Sequence, residues 1–215
     1  MRVTDSPSAA EIQSTKMKEK IKQILSQRER QTIILTDVPL APAAVLLPLY
    51  EREGEYWILF TKRTQKVEHH KGQISFPGGA RDEGDRDLVD TVLRETFEEI
   101  GVKPEDVEIL GELDRMGTIT SNFLITPFVG IIPHPYEFTI ARDEIEELVE
   151  VPVSALLDKN NYRQELQVYE GMTYPASFFE YKGKVIWGAT ARILKQFLDL
   201  VFGVGGDYER TSNGT

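Results

Sequence analysis

The chain has 215 residues, 40% of them hydrophobic, no cysteine and a formal net charge of −10, which reads as one folded domain with extensions rather than a disordered chain. The acidic balance argues against sequence-independent nucleic-acid binding, which needs a basic surface to release counterions, and leaves no polybasic patch for an anionic membrane. Without cysteine, disulfides, thiolate zinc sites and a cysteine nucleophile are excluded.

Residues 1–10 lack the apolar core of a signal peptide. No window approaches the roughly 18 apolar residues of a membrane span, so the expected location is the cytoplasm. Ile12, Met17, Ile21, Ile24 and Leu25 recur at helical spacing and predict a helix over 11–30. Residues 1–30 therefore read as an N-terminal helical extension, 31–202 as the main domain and 203–215 as a frayed tail.

Residues 31–42, with Pro39 and Pro42, read as a connector. The apolar runs Ala43–Tyr50 and Tyr56–Thr61 flank a turn at Gly54 and predict a hairpin. Residues 62–75 are polar and read as a loop, ended by the sharp punctuation Phe76-Pro77-Gly78-Gly79. A strong helix is expected over Asp87–Ile100, strands over Val107–Leu113, Leu124–Ile132 and Glu150–Val153, and a last helix over Ile186–Phe202. The elements lack a regular βαβ rhythm. The predicted class is α/β, with a mixed central sheet flanked by helices.

The informative stretch runs from Gly78-Gly79 through Asp85 to Arg94-Glu95-Thr96-Phe97-Glu98-Glu99-Ile100-Gly101-Val102. At about 100° per residue, Glu95, Glu98 and Glu99 share one sector roughly 100° wide. Val89, Val92, Leu93, Phe97 and Ile100 are expected on the core side. Like charges at this spacing repel, and a hard cation with oxygen ligands, such as Mg²⁺, would reverse that sign. Alone, such a cluster reads as a solvated acidic face. A Gly-Gly loop before it and a Gly101 helix stop after it favour a metal site.

Gly79 to Val102 resembles the Nudix box: glycine, five residues, an acid, a spacer, then R-E-U-x-E-E-x-G-U with U a bulky aliphatic. Gly79, Arg94, Glu95, Glu98, Glu99, Gly101 and Val102 match. Asp85 stands where the first glutamate belongs, the spacer to Arg94 is eight residues rather than seven, and Thr96 replaces the aliphatic. The resemblance implies a Nudix α/β/α sandwich and hydrolysis of a pyrophosphate bond in a nucleoside diphosphate derivative, dependent on Mg²⁺ or Mn²⁺. It also implies Glu98 and Glu99 as metal ligands, Glu95 as a ligand or the group orienting the attacking water, and the Gly79 carbonyl as a further ligand. Asp85 would pair with Arg94 and support the loop.

Upstream, Leu59-Phe60-Thr61-Lys62-Arg63-Thr64, Glu68, Gly72 and Phe76-Pro77-Gly78-Gly79 are similar, with matching spacing, to a pattern of coenzyme A pyrophosphatases in that superfamily. Ile186-Trp187-Gly188-Ala189-Thr190-Ala191 resembles the same subfamily. The implied products from coenzyme A are 4′-phosphopantetheine and adenosine 3′,5′-bisphosphate. Two positions depart: Glu68 stands where the pattern has arginine, and Thr64 where it has serine or alanine. The alternatives are an ADP-ribose or general nucleoside-diphosphate hydrolase, and a non-catalytic Nudix-fold binding module.

Arg63 is a candidate phosphate contact or a partner for a neighbouring acid. His69, His70 and Lys71 are candidate donors to substrate, each histidine being equally readable as a solvated loop side chain. Glu144 and Glu147 are candidates for a late acid near the metal, against the plainer reading of a solvated helix turn. Tyr and Phe residues at 174–181 stack on a base or fill the core. The expected partner is a nucleotide-derived small molecule, and a homodimer is compatible with the sequence.

Overall fold

The computed structural model describes residues 9–34, 38–66, 71–118, 121–169 and 172–204. In chain order these form α1 (Ala9–Gln27), β1 (Thr32–Ile33), β2 (Ala41–Arg52), β3 (Glu55–Arg63), β4 (Ile74–Ser75), β5 (Gly78–Ala80), α2 (Leu88–Ile100), β6 (Glu108–Glu112), β7 (Arg115–Gly117), β8 (Phe123–Ile131), β9 (Ile145–Pro152), α3 (Val153–Leu157), β10 (Tyr162–Tyr169), β11 (Met172–Tyr181), β12 (Lys184–Ile186) and α4 (Gly188–Phe202).

Helical spacing docks α1, because Ile21 and Leu25 point from one face and are buried in the larger core. The helix stops three residues before the expected 30. Arg28 is turned onto the Asp114 carboxylate, and that carboxylate also accepts from the Gln31 N–H at 2.8 Å. This draws the chain into β1, a strand inside the expected connector, which pairs in parallel with β7.

The expected hairpin is β2–β3, closed between Arg52 and Glu55. Its two turn residues, Glu53 and Gly54, have φ of 55° and 81°, the left-handed pair that a two-residue turn needs to follow the twist of its strands. The main sheet runs β1-β7-β8-β2-β3-β4, with β5 on β2, β6 on β8 and β9 on β3. β2–β8 is parallel and β2–β3 antiparallel, so the sheet is mixed.

Strand alternation sorts the core. Ala44 and Leu46 of β2 meet Val92 of α2 and Phe128 on one face. Leu47 and Leu49 enter the larger core on the other face, with Ile58, Phe60, the α4 residues Leu194, Phe197, Leu198 and Val201, and α1. The result is the α/β/α sandwich expected from the sequence. A separate three-stranded antiparallel sheet, β10-β11-β12, was not foreseen; Tyr162 and Phe179 anchor it in the larger core. No helix among the described residues is long and apolar enough to cross a membrane. The tail expected from 203 is described only as far as 204.

Two expectations need correction. Phe97, assigned to the core face of α2, is 49% exposed, and the buried positions instead include Thr91 and Thr96. Thr96 is tolerated in the core because its hydroxyl donates to the Val92 carbonyl at 2.6 Å, which removes the penalty of an unpaired buried hydroxyl. The acidic segment read as a helix turn lies mostly in β9, which begins at Ile145, five residues before the expected strand. Ile145, Val149 and Val151 alternate into the interior, and pairing with β3 overrides the local charge pattern.

Candidate active site

The Gly78-Gly79 strand β5 lies between β2 and α2; Gly78 is required there by the backbone, and Gly79 leaves room for the Glu95 carboxylate. Gly78 has φ of 143°, and a Cβ on it would sit 2.2 Å from the Ala44 carbonyl oxygen. A Cβ on Gly79 would sit 2.5 Å from the Glu95 carboxyl carbon. The backbone of β5 is thereby brought against the acidic face of α2. That helix is fixed at its start by Asp87, whose carboxylate accepts from the N–H groups of Val89 and Asp90. It is fixed at its end by Gly101 at φ 75°.

Arg94 is the hub. Its guanidinium donates to both Asp85 oxygens at 2.9 and 3.0 Å, to the Ala80 carbonyl at 3.1 Å, to Glu95 at 2.8 Å and to Glu98 at 3.1 Å. Asp85 also accepts from the Asp82 N–H and the Thr91 hydroxyl, each at 2.9 Å. The Arg94 hydrogen bonds, reinforced by these donors and opposed by burial, hold the Asp85 carboxyl far below the usual range. An aspartate nine residues before the arginine thus closes a two-pronged pair despite the longer spacer.

The three glutamates of α2 occupy graded environments. The Glu98 side chain is 56% exposed. Glu95 is half-buried, and burial raises its carboxyl against the pull of Arg94. Glu99 is 4% exposed and is pushed up to about 8 by burial, opposed by Arg63 and the Gly78 N–H. The Gly78 N–H donates to Glu99 at 3.3 Å, and an Arg63 nitrogen lies 3.5 Å from it. Neither contact balances the desolvation of that charge.

Arg63 links this cluster to the late acids. Its other terminal nitrogen is 3.8 Å from Glu144, and its Nε is buried with no hydrogen-bond partner among the described residues. The segment carrying Glu144 is tied to β3 by the Thr64 N–H donating to the Glu144 carbonyl at 2.8 Å. The Thr64 hydroxyl donates to the Asp143 carbonyl at 2.9 Å. Thr64 therefore has a use at the position where the resemblance expects serine or alanine.

Glu147 goes elsewhere. It follows the parity of Val149, toward the larger core, and accepts from Lys184 at 2.5 Å with Lys62 at 3.3 Å. The Lys184 bond, against burial, holds its carboxyl below the usual range. The structure thus brings Gly79, Arg94, Glu95, Glu98, Glu99, Arg63 and Glu144 together and sends Glu147 to two lysines. Lys71 is exposed at a turn, whereas His69, His70 and Glu68 lie outside the described residues. Of the aromatics at 174–181, Phe178 and Phe179 are buried in β11. The sequence reading offered Arg63 as a partner for a neighbouring acid and Glu144 as a late acid, and the structure places the two 3.8 Å apart; that they meet each other is a long-range effect of β3–β9 pairing, which local spacing does not signal.

The donor set suits a hard dication. All candidate ligands are oxygens, Glu99 is a buried carboxyl whose ionised form its neighbours leave underbalanced, and the missing Cβ at Gly79 clears the space before Glu95. Among the described residues, no three His, Asp or Glu side chains converge closely enough to hold an ion. Binding would therefore require Glu95 and Glu98 to turn from Arg94 toward Glu99.

Residues 39–171 match the NUDIX domain family. The chain is 37% identical over 163 residues to the "Uncharacterized Nudix hydrolase NudL" of Citrobacter koseri, covering 75% of this chain and 83% of that one. It is also 37% identical over 154 residues to the protein of the same name from Enterobacter sp. strain 638, covering 72% and 79%. The structure resembles that of a MutT/nudix family protein from Enterococcus faecalis, with a TM-score of 0.51 and 14% identity over 93% of this chain and 76% of that one, a likeness of fold. Hydrolases of this family generally work with divalent metal ions and act on nucleoside diphosphate derivatives. The chain belongs to the Nudix family and is a Nudix pyrophosphohydrolase.

Proposed function

We propose that the enzyme hydrolyses the pyrophosphate bond of coenzyme A, giving 4′-phosphopantetheine and adenosine 3′,5′-bisphosphate. The observation that supports this reading is Arg63. It belongs to the upstream stretch Leu59–Gly79, whose spacing resembles coenzyme A pyrophosphatases, yet it lies between Glu99 and Glu144 with a buried Nε that has no hydrogen-bond partner among the described residues. A buried donor without an acceptor is unfavourable, and a phosphate oxygen of the substrate would satisfy it.

In this reading Glu98, Glu99 and the Gly79 carbonyl hold Mg²⁺ or Mn²⁺, with Glu95 as a further ligand or as the group that orients the attacking water. Such an ion, when bound, polarises a phosphoryl oxygen, lowers the pKa of a coordinated water and screens the pyrophosphate. Arg94 holds Glu95 and Glu98 in the metal-free protein and would release them to the ion, while Asp85 fixes Arg94. Arg63 donates to a phosphate, and Glu144 stands ready to take the proton of the attacking water. Lys71, His69 and His70 are proposed to contact the substrate. Residues 31–202 carry the site, and 1–30 serve in packing. A cysteine-free chain suits the cytoplasm.

Glu68, an anion where the pattern has a cation, favours a second reading in which ADP-ribose or another nucleoside diphosphate derivative is the substrate. A substrate panel followed by mass spectrometry, with and without Mg²⁺ or Mn²⁺, separates the two. Contacts to the 3′-phosphate worth roughly 1.5–3 kcal/mol should make coenzyme A the better substrate over dephospho-coenzyme A by roughly 10- to 150-fold in kcat/KM. Dephospho-coenzyme A or ADP-ribose as the better substrate would overturn the coenzyme A assignment and leave the pyrophosphohydrolase in place.

A further inference from the structure

Phe97 is an anomaly on α2: a large aromatic, 49% exposed, one residue from the metal-ligand candidate Glu98. It lines a cleft of about 650 Å³ between the end of α2 and the segment 136–141. That volume is in the range of small-molecule sites. The walls are tied in place by backbone. The Thr139 N–H donates to the Ile100 carbonyl at 3.0 Å, and the Ala141 N–H to the Glu99 carbonyl at 2.9 Å. On the far side the Lys103 N–H donates to the Tyr136 hydroxyl at 3.0 Å, and that hydroxyl donates to Asp106 at 2.8 Å. Gly101 allows the closure, since a Cβ there would sit 2.8 Å from the Thr139 Cβ.

The lining decides what fits. Glu98, Asp106 and Glu137 oppose the single cation of Lys103, so the cleft repels phosphate. Phe97 and Ile140 supply apolar surface, and the carboxylates supply acceptors. Glu98 lines this cleft and also accepts from Arg94 at 3.1 Å, so the cleft adjoins the carboxylate cluster through that one residue. We infer that it is the subsite for an uncharged, amide-bearing arm attached to the pyrophosphate, with Phe97 as its specificity-determining contact. This rests on the coenzyme A reading, in which that arm is the pantetheine moiety.

The test uses the full chain with Phe97→Trp as a fluorescent reporter, titrated with pantetheine and, separately, adenosine. Concentrations reach roughly 10 mM because fragments bind weakly. A saturable change with pantetheine, missing from the parent protein and from the adenosine titration, is expected. In parallel, Phe97→Ala should lower the coenzyme A to ADP-ribose ratio of kcat/KM at least about 10-fold through KM, with an unchanged melting curve. An unchanged ratio, or a response to adenosine alone, overturns the assignment. A parent protein that cleaves neither substrate overturns the coenzyme A reading instead, while the pantetheine titration still decides the cleft.

Discussion

Replacing Glu99 by glutamine should stabilise the metal-free protein, and increasingly so as pH rises. The carboxyl is pushed from an ordinary 4.5 up to about 8 by burial. Between those values the folded chain keeps a proton that the unfolded chain has released, so this group's contribution is favourable at low pH and lost as pH rises toward 8. At about 1.4 kcal/mol per pH unit the full displacement corresponds to about 5 kcal/mol. Relaxation and entering water recover part of it, leaving roughly 2–3 kcal/mol. For a chain of this size that is a gain of roughly 4–12 °C in melting temperature. Glutamine keeps the shape and an acceptor for the Gly78 N–H. Melting curves in chelator should nearly superimpose for parent and Glu99→Gln at about pH 4 and separate by that amount at about pH 9. Added Mg²⁺ or Mn²⁺ should then stabilise the parent more at pH 8 than at pH 6, because its ligands must be deprotonated. Parallel curves across the whole range would refute the claim that Glu99 is an underbalanced buried charge.

Gly79→Ala places a Cβ against the flexible end of Glu95, so turnover should fall at least about 10-fold while the melting temperature shifts by only a few degrees; a steady-state assay beside calorimetry checks both. Asp85→Asn removes the charged partner of Arg94 and should destabilise by about 2 kcal/mol at neutral pH, measured by urea unfolding. Because the Asp85 carboxyl is held far below its ordinary 3.8, that difference should persist from neutral pH down to about pH 4 and shrink progressively below it, as the unfolded chain takes up a proton that the folded chain does not.

The layout was legible where local signals agree. The hairpin around Gly54 and the capped helix ending at Gly101 follow from turn residues and apolar spacing. Hydrophobic periodicity misplaced Phe97, because a helix beside a cleft leaves a large side chain uncovered and a threonine satisfied by its own backbone can enter the core. It also could not grade Glu95, Glu98 and Glu99, whose difference in burial comes from β5 and Arg63 packing across one end of the face. The acids at 144–147 read as a helix turn because pairing with β3 is a long-range effect. That pairing puts Glu144 beside Arg63 and commits Glu147 to Lys62 and Lys184. The three-stranded sheet was missed for a related reason: β10 is polar over much of its length, and Leu166 and Val168 are exposed.

The central claim is that the carboxylates of α2 carry the chemistry, and Glu98 tests it with the least risk to the fold, since its side chain is 56% exposed. The rate of pyrophosphate cleavage by Glu98→Gln, at saturating Mg²⁺ and with the product identified by mass, should fall at least about 100-fold below the parent, a loss of roughly 2.7 kcal/mol of transition-state stabilisation. The melting curve in chelator should be unchanged. Turnover within roughly threefold of the parent, under 1 kcal/mol, would contradict it.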